Sequence, residues 1–177
     1  MCLVALAYRL HPRWPLVLIA NRDEAHARAT APAGFDPDAG EVYGGRDLEA
    51  GGSWLQVSTR GRLAAVTNVR GGLEPEQARR SRGWLVRDFV RARDGAMAFA
   101  EALQPQARAY GRFNLLVWDG ETLAFASNVP EPVAMKLRFS QAIYSVCIVN
   151  MRKTKAGVLK SSLKMKANMA AIKKSSA

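Results

Sequence analysis

The chain has 177 residues, 49% of them hydrophobic and 23% charged, which suits one domain and excludes wholesale disorder. No apolar run approaches the ~20 residues of a membrane span. Two cysteines (Cys2, Cys147) and two histidines (His11, His26) are too few and too scattered for a disulfide framework or a zinc site, and the +11 formal charge reads as nucleic-acid binding only until it is located along the chain.

Residues 2–10 (CLVALAYRL) and 16–20 (LVLIA) are short runs rich in Val, Ile and Leu, separated by HPRWP, whose prolines cannot continue a ladder. They read as a β-hairpin. If Arg9 faces Leu16, paired numbers sum to 25 and Cys2 lies opposite Asp23. Arg9, Arg13 and two prolines interrupt the apolar stretch, and no basic segment precedes it, so a signal peptide is not expected and the default location is cytoplasmic. Residues 29–52, with Pro32, Pro37 and six glycines, read as loop. A second hairpin is expected from 53–58 and 62–68 around Thr59-Arg60-Gly61. Residues 81–93 place Trp84, Leu85, Val86, Phe89 and Val90 on one stripe of a helix, and 94–103 continue as an Ala-rich helix. A third hairpin joins 112–118 to 122–127 through Asp119-Gly120, a strong turn signal. Hairpins around a helical layer make an α+β protein, not a doubly wound parallel sheet.

Beyond residues 130–136 the composition switches. Residues 1–135 hold all 15 acids, 16 Arg and no Lys, whereas 136–177 hold 8 Lys, 2 Arg and no acid. The basic excess thus belongs to a tail, which attracts polyanions weakly and unspecifically. No specific nucleic-acid partner is expected. The division expected is a domain over 1–133 and a basic tail over 134–177, with one strand near 141–149.

Cys2 is the sharpest candidate for chemistry. Removal of Met1 would leave a thiol and a free α-amine on one residue, and an amine of pKa ~7.7–8 can act as its general base. Asn21-Arg22-Asp23-Glu24 follows the second strand. There Asp23 can orient the new ammonium, and Arg22 can favour the thiolate or hold an anionic substrate group. Asn68, ending the second hairpin beside Gly71-Gly72, can donate to a developing oxyanion. Asn114 reads as a satisfied strand amide, His11 and His26 as surface residues, and Trp14, Trp54, Trp84 and Trp118 as core positions.

These features occur together in a recognisable order: Met1-Cys2, NRDE at 21–24 with Arg28, GGSWLQVSTRGRLAAVTNVR at 51–70, SRGWLVRDFV at 81–90 and GRFNLLVWDG at 111–120. Over residues 1–130 the chain resembles the NRDE family, also called the transport and Golgi organisation protein 2 family. The resemblance implies a partial αββα sandwich of antiparallel sheets of the N-terminal-nucleophile hydrolase type. It further implies an amidohydrolase-like site acting on C–N amide bonds, with Cys2, Asp23, Asn68 and Arg22 catalytic and Asn21, Glu24 and Arg28 binding substrate. Arg22 adjoins Asp23 directly, a shift from the related amidases. The motifs stop near Val133, so the chain is expected to be C-terminally truncated, with an unrelated Lys-rich tail and an incomplete site. The expected ligand is a small-molecule amide and no cofactor is required. The alternative is a non-enzymatic role in secretory organisation or haem trafficking, with Cys2 or His26 near a haem iron.

Overall fold

The computed structural model of the chain describes residues 3–22, 24–69 and 79–137. Cys2, Asp23 and the strand expected at 141–149 lie outside them. The described residues fall into two compact units, 3–21 and 22–137.

The first unit is a hairpin, β1 (Leu3–Tyr8) antiparallel to β2 (Leu16–Asn21). Its register pairs Tyr8 with Leu16 and Leu3 with Asn21, so paired numbers sum to 24, one less than expected. The cause is Arg9. It takes a left-handed conformation (φ 54°), donates its N–H to the Pro15 carbonyl at 2.7 Å, and joins the loop instead of the strand. A one-residue slip exchanges the faces of a strand. β2 is also less buried than its composition suggests, with Ile19 70% exposed.

The second unit is a seven-stranded antiparallel sheet in which every strand pairs with its sequence neighbour, β3 through β9. β5 (Leu55–Ser58) and β6 (Arg62–Asn68) form the expected second hairpin, and β7 (Phe113–Trp118) and β8 (Leu123–Ser127) the third. Asp119 makes the latter turn do two jobs. Its Oδ1 accepts the N–H groups of Glu121 and Thr122, while Oδ2 accepts the Ala96 N–H at 2.6 Å and so caps the helix that starts there.

Two strands stand where a loop was expected: β3 (Thr30–Asp36) and β4 (Ala39–Asp47). Their sequences lack apolar alternation because the ladder here is irregular, with register shifts between Ala31 and Gly34 and between Phe35 and Asp36. β3 is an edge strand, where Pro32 is tolerated. β9 (Val133–Lys136) pairs with β8 and carries the sheet past the boundary expected at Val133.

α1 (Gly83–Arg91) and α2 (Ala96–Leu103) pack on one face of the sheet. α1 buries Leu85, Val86, Phe89 and Val90, the spacing of a single helical stripe. Beneath the two helices lie Val66, Phe113, Leu115 and Val117, with small Ala64, Ala124 and Ala126 that let the helix layer approach. Phe89 meets Phe99 edge to face at 5.1 Å. Trp84 falls off the stripe and is 36% exposed, and Trp14 sits in the β1–β2 loop at 58%, so neither fills the expected core position.

The opposite sheet face, which carries no helix among the described residues, is apolar as well. Leu63, Ala65, Leu116 and Phe125 are buried there, whereas Phe35, Tyr43 and Val57 are exposed. Asn114 and Thr67, ladder partners on this face, are 3% and 4% exposed, yet neither Asn114 amide atom nor the Thr67 hydroxyl has a hydrogen-bond partner. Asn114 is therefore not the satisfied amide its position suggested.

Candidate functional site

The GGSW and SRGW segments explain each other. An added Cβ on Gly52 would lie 2.3 Å from the Gly83 carbonyl carbon, and one on Gly83 would lie 2.8 Å from the Ser53 nitrogen. Only glycine allows this approach of two backbones, and the Ser53 N–H seals it with a 3.1 Å bond to the Gly83 carbonyl. Ser53 is buried and donates its hydroxyl to the Gly45 carbonyl at 2.6 Å. The loop after β4 is thereby fixed to both the sheet and the start of α1.

Asp47 organises that loop. Its Oδ1 accepts the N–H groups of Glu49 and Ala50 at 3.0 and 3.1 Å, and its main chain exchanges bonds with Gly51 and Gly52. Its Oδ2 accepts the Arg28 Nε–H at 2.8 Å and lies 3.5 Å from Arg22 Nη2. Burial pushes the Asp47 carboxyl upward, but the Arg28 bond and the two turn N–H groups outweigh it and hold the group below the usual carboxylate range. In return, the bond to Asp47 raises the Arg28 pKa against its own desolvation. Arg28 is further paired with Glu49 at 3.2 Å.

Arg22 lies over the Trp54 ring, its guanidinium carbon 4.4 Å from the centroid. A Cβ on Gly45 would meet the same indole at 2.5 Å, so Trp54 fits only because Gly45 has no side chain. These groups line a polar cavity of about 190 Å³ together with Glu24, Asn68 and the Ser81–Gly83 segment. Asn68 is the last residue of β6, whose preceding six residues are all buried. A rigid strand thus presents a solvent-reachable amide at the cavity.

Four of the seven residues expected in the site meet here: Arg22, Glu24, Arg28 and Asn68. Asn21 ends β2 opposite Leu3, in the hairpin unit. Cys2 and Asp23 lie outside the described residues. His11 and His26 are exposed. The sequence reading missed Asp47, Ser53 and Trp54. Asp47 had a readable signal, an aspartate opening a Gly-containing turn, where its side chain bonds its own backbone two or three residues on. Chemically, the cavity offers an amide donor and guanidinium groups, a combination that polarises a carbonyl and holds an anion. Among the described residues no cluster of His, Cys, Asp or Glu has metal-binding geometry.

An antiparallel α+β domain with helices on one sheet face and an arginine-lined cavity at a strand end is the class of protein that the geometry defines. The chain matches the Transport and Golgi organisation 2 family over residues 1–175 and belongs to it. It is 33% identical to the human Transport and Golgi organization protein 2 homolog, covering 75% of this chain and 52% of the human one. The mouse homolog is 32% identical, with 76% and 54% covered. The Drosophila melanogaster Transport and Golgi organization protein 2 is 33% identical, with 66% and 45% covered. The chain therefore spans about half the length of these relatives.

Proposed function

We propose that this family member carries an N-terminal-nucleophile, amidohydrolase-like site. Its supporting observation is the position of Asn68, which ends a strand whose other six residues are buried and lines the same cavity as Arg22. In the proposed reaction the Cys2 sulfur attacks the carbonyl carbon of an amide, and the α-amine of Cys2 accepts the thiol proton. Asp23 orients the resulting ammonium, and the Asn68 amide N–H stabilises the oxyanion. The ammonium then protonates the departing amine as the C–N bond breaks and a thioester forms. Water, deprotonated by the same amine, releases the acid and restores the thiol. A sheet that is apolar on both faces needs cover on both, which favours the sandwich arrangement proposed with this chemistry.

The test is covalent labelling with a cysteine-directed acylating probe. Wild type should be labelled at Cys2, and Cys2→Ser should not. Unchanged labelling of that variant, or Met1 retained in the intact mass, overturns the reading. The relatives are named for transport and Golgi organisation, which favours a second, non-enzymatic reading; haem is the ligand proposed for such a carrier here. Absorbance titration separates the two, since a carrier of haem shifts the Soret band and a pure amidohydrolase does not.

A further inference from the structure

Arg22 and Arg28 share a segment, a cavity and a carboxylate, yet their hydrogen-bonding states differ. Arg28 donates to Asp47 at 2.8 Å and pairs with Glu49 at 3.2 Å. Arg22 has Glu24 and Asp47 at 3.5 Å each, beyond the ~2.7–2.9 Å of a charge-assisted bond. Among the described residues it donates no hydrogen bond at all, though its side chain is only 19% exposed. Its face is covered by Trp54. The fork of donors at its edge is what remains, and that fork matches a planar carboxylate in bidentate geometry.

Arg22, Arg28 and Arg82 stand beside Glu24 and Asp47, and Glu49 pairs with Arg28, so carboxylates do not outnumber the arginines around this cavity. Its size narrows the ligand further. At about 190 Å³ it is smaller than the ~300–1,000 Å³ that encloses a drug-sized molecule. It takes the polar end of a small molecule. Asn68 lines the same space, so an amide carbonyl at Asn68 and an anion at Arg22 must be close together in one ligand.

Resting on the amidohydrolase reading, we propose that the cavity is a carboxylate subsite and that the substrate is a small amide bearing a carboxylate, with Arg22 as the selecting residue. The carboxylate can sit on the amine side of the amide, as in N-acetylglycine, or on the acyl side, as in succinamic acid. Both present the same anion to the same guanidinium.

The test measures binding, not turnover. Full-length Cys2→Ser is titrated with N-acetylglycine, succinamic acid and their neutral counterparts, N-acetylglycinamide and succinamide, following ligand signals by NMR. One of the two acids should bind at least about tenfold more tightly than its neutral partner, as expected for a bidentate charge-assisted pair. Which acid does so identifies the side that carries the carboxylate. Arg22→Gln should bring acid and neutral amide to within about twofold, and Arg22→Lys should keep only part of the preference, because an ammonium lacks the fork. Equal binding of acids and amides by the unsubstituted Arg22 protein overturns the proposal with no further variant needed, and so does no binding of either acid. A carboxylate preference in a protein that the acylating probe does not label would sink the hydrolase chemistry and leave the subsite. Labelling without the preference does the reverse.

Discussion

Asp36, at the end of β3, and Asp47, at the end of β4, are built alike. In each, one carboxylate oxygen accepts from its own turn, one N–H at Asp36 and two at Asp47, and the other faces two guanidinium groups. Asp36 meets Arg91 at 2.9 Å and Arg87 at 3.4 Å, with 1% of its side chain exposed. Both arginines project from α1, so the cluster ties the helix to the β3–β4 turn. Asp47 meets Arg28 at 2.8 Å and Arg22 at 3.5 Å, with 13% exposed, and opens onto a cavity. The first cluster is packed between α1 and the β3–β4 turn, held by ion pairs, with Arg91 Nε and Nη2 and Asp36 Oδ2 buried and making no hydrogen bond. The second leaves one cation under-bonded at a space a ligand can enter. The same three-residue chemistry thus serves as a rivet in one place and as a receptor in the other, and the difference lies in whether the carboxylate and its arginines border a space that a ligand can enter.

Four measurements break or sharpen that comparison. The largest effect belongs to Asp36→Ala, which leaves two arginines without their counter-ion. Removing one partner of a buried pair costs ~3–5 kcal/mol, and the partial exposure of Arg91 puts this near the low end, at about 3 kcal/mol by urea denaturation. Gly52→Ala drives a methyl group into the Gly83 backbone and should cost about 2 kcal/mol in the same assay, while also loosening the loop that Asp47 organises. Asp47→Asn should cost less, about 1.5 kcal/mol, because its partners remain within reach of water. Its larger signature is a weakened preference for carboxylate ligands. Trp54→Leu removes the ring beneath Arg22 and should cost about 0.5–1 kcal/mol of cation–π attraction, with the loss seen more clearly in ligand binding than in melting.

Acid titration of the two variants separates the contributions of the clusters. Burial raises both carboxyls, but hydrogen bonds and arginines bring both below their usual range. A carboxyl depressed in the folded state contributes stability that is fully present above the unfolded value of ~3.9 and is lost as pH falls through the folded one. Wild type should therefore lose stability steeply below pH ~4. Asp47→Asn should show a shallower acid limb with the Asp36 contribution intact, and Asp36→Ala the converse.

Legibility in the sequence followed the physics of each segment. The hairpins of β5–β6 and β7–β8 and both helices could be read because their apolar spacing and turn residues agree. The register of β1–β2 was missed by one residue because the strand ends at Arg9 in a left-handed conformation that no propensity assigns to arginine. β3 and β4 were invisible because an edge hairpin with bulges needs neither alternation nor β-branched residues, only a neighbour to bond. In the site, Asn68 and Arg22 could be picked by residue type and place in a strand end or polar run. Trp54 could not, since its place depends on the glycine at 45, and Asp47 showed only its turn signal, its place at the cavity depending on glycines at 52 and 83 that let distant backbones meet.

The seven-stranded meander has a kinetic consequence. Each strand from β3 to β9 pairs with its sequence neighbour, so most ladders can zip as short local closures that sacrifice little chain entropy. The exception is β6–β7, whose connection holds α1, α2 and the 3₁₀ turn Gln104–Ala109. That junction is the long loop of the fold, and the helices must settle onto the sheet as it forms. Conversion of two separate ribbons into one sheet is therefore the step that sets the tempo of refolding, and destabilising α1 should slow refolding more than it hastens unfolding.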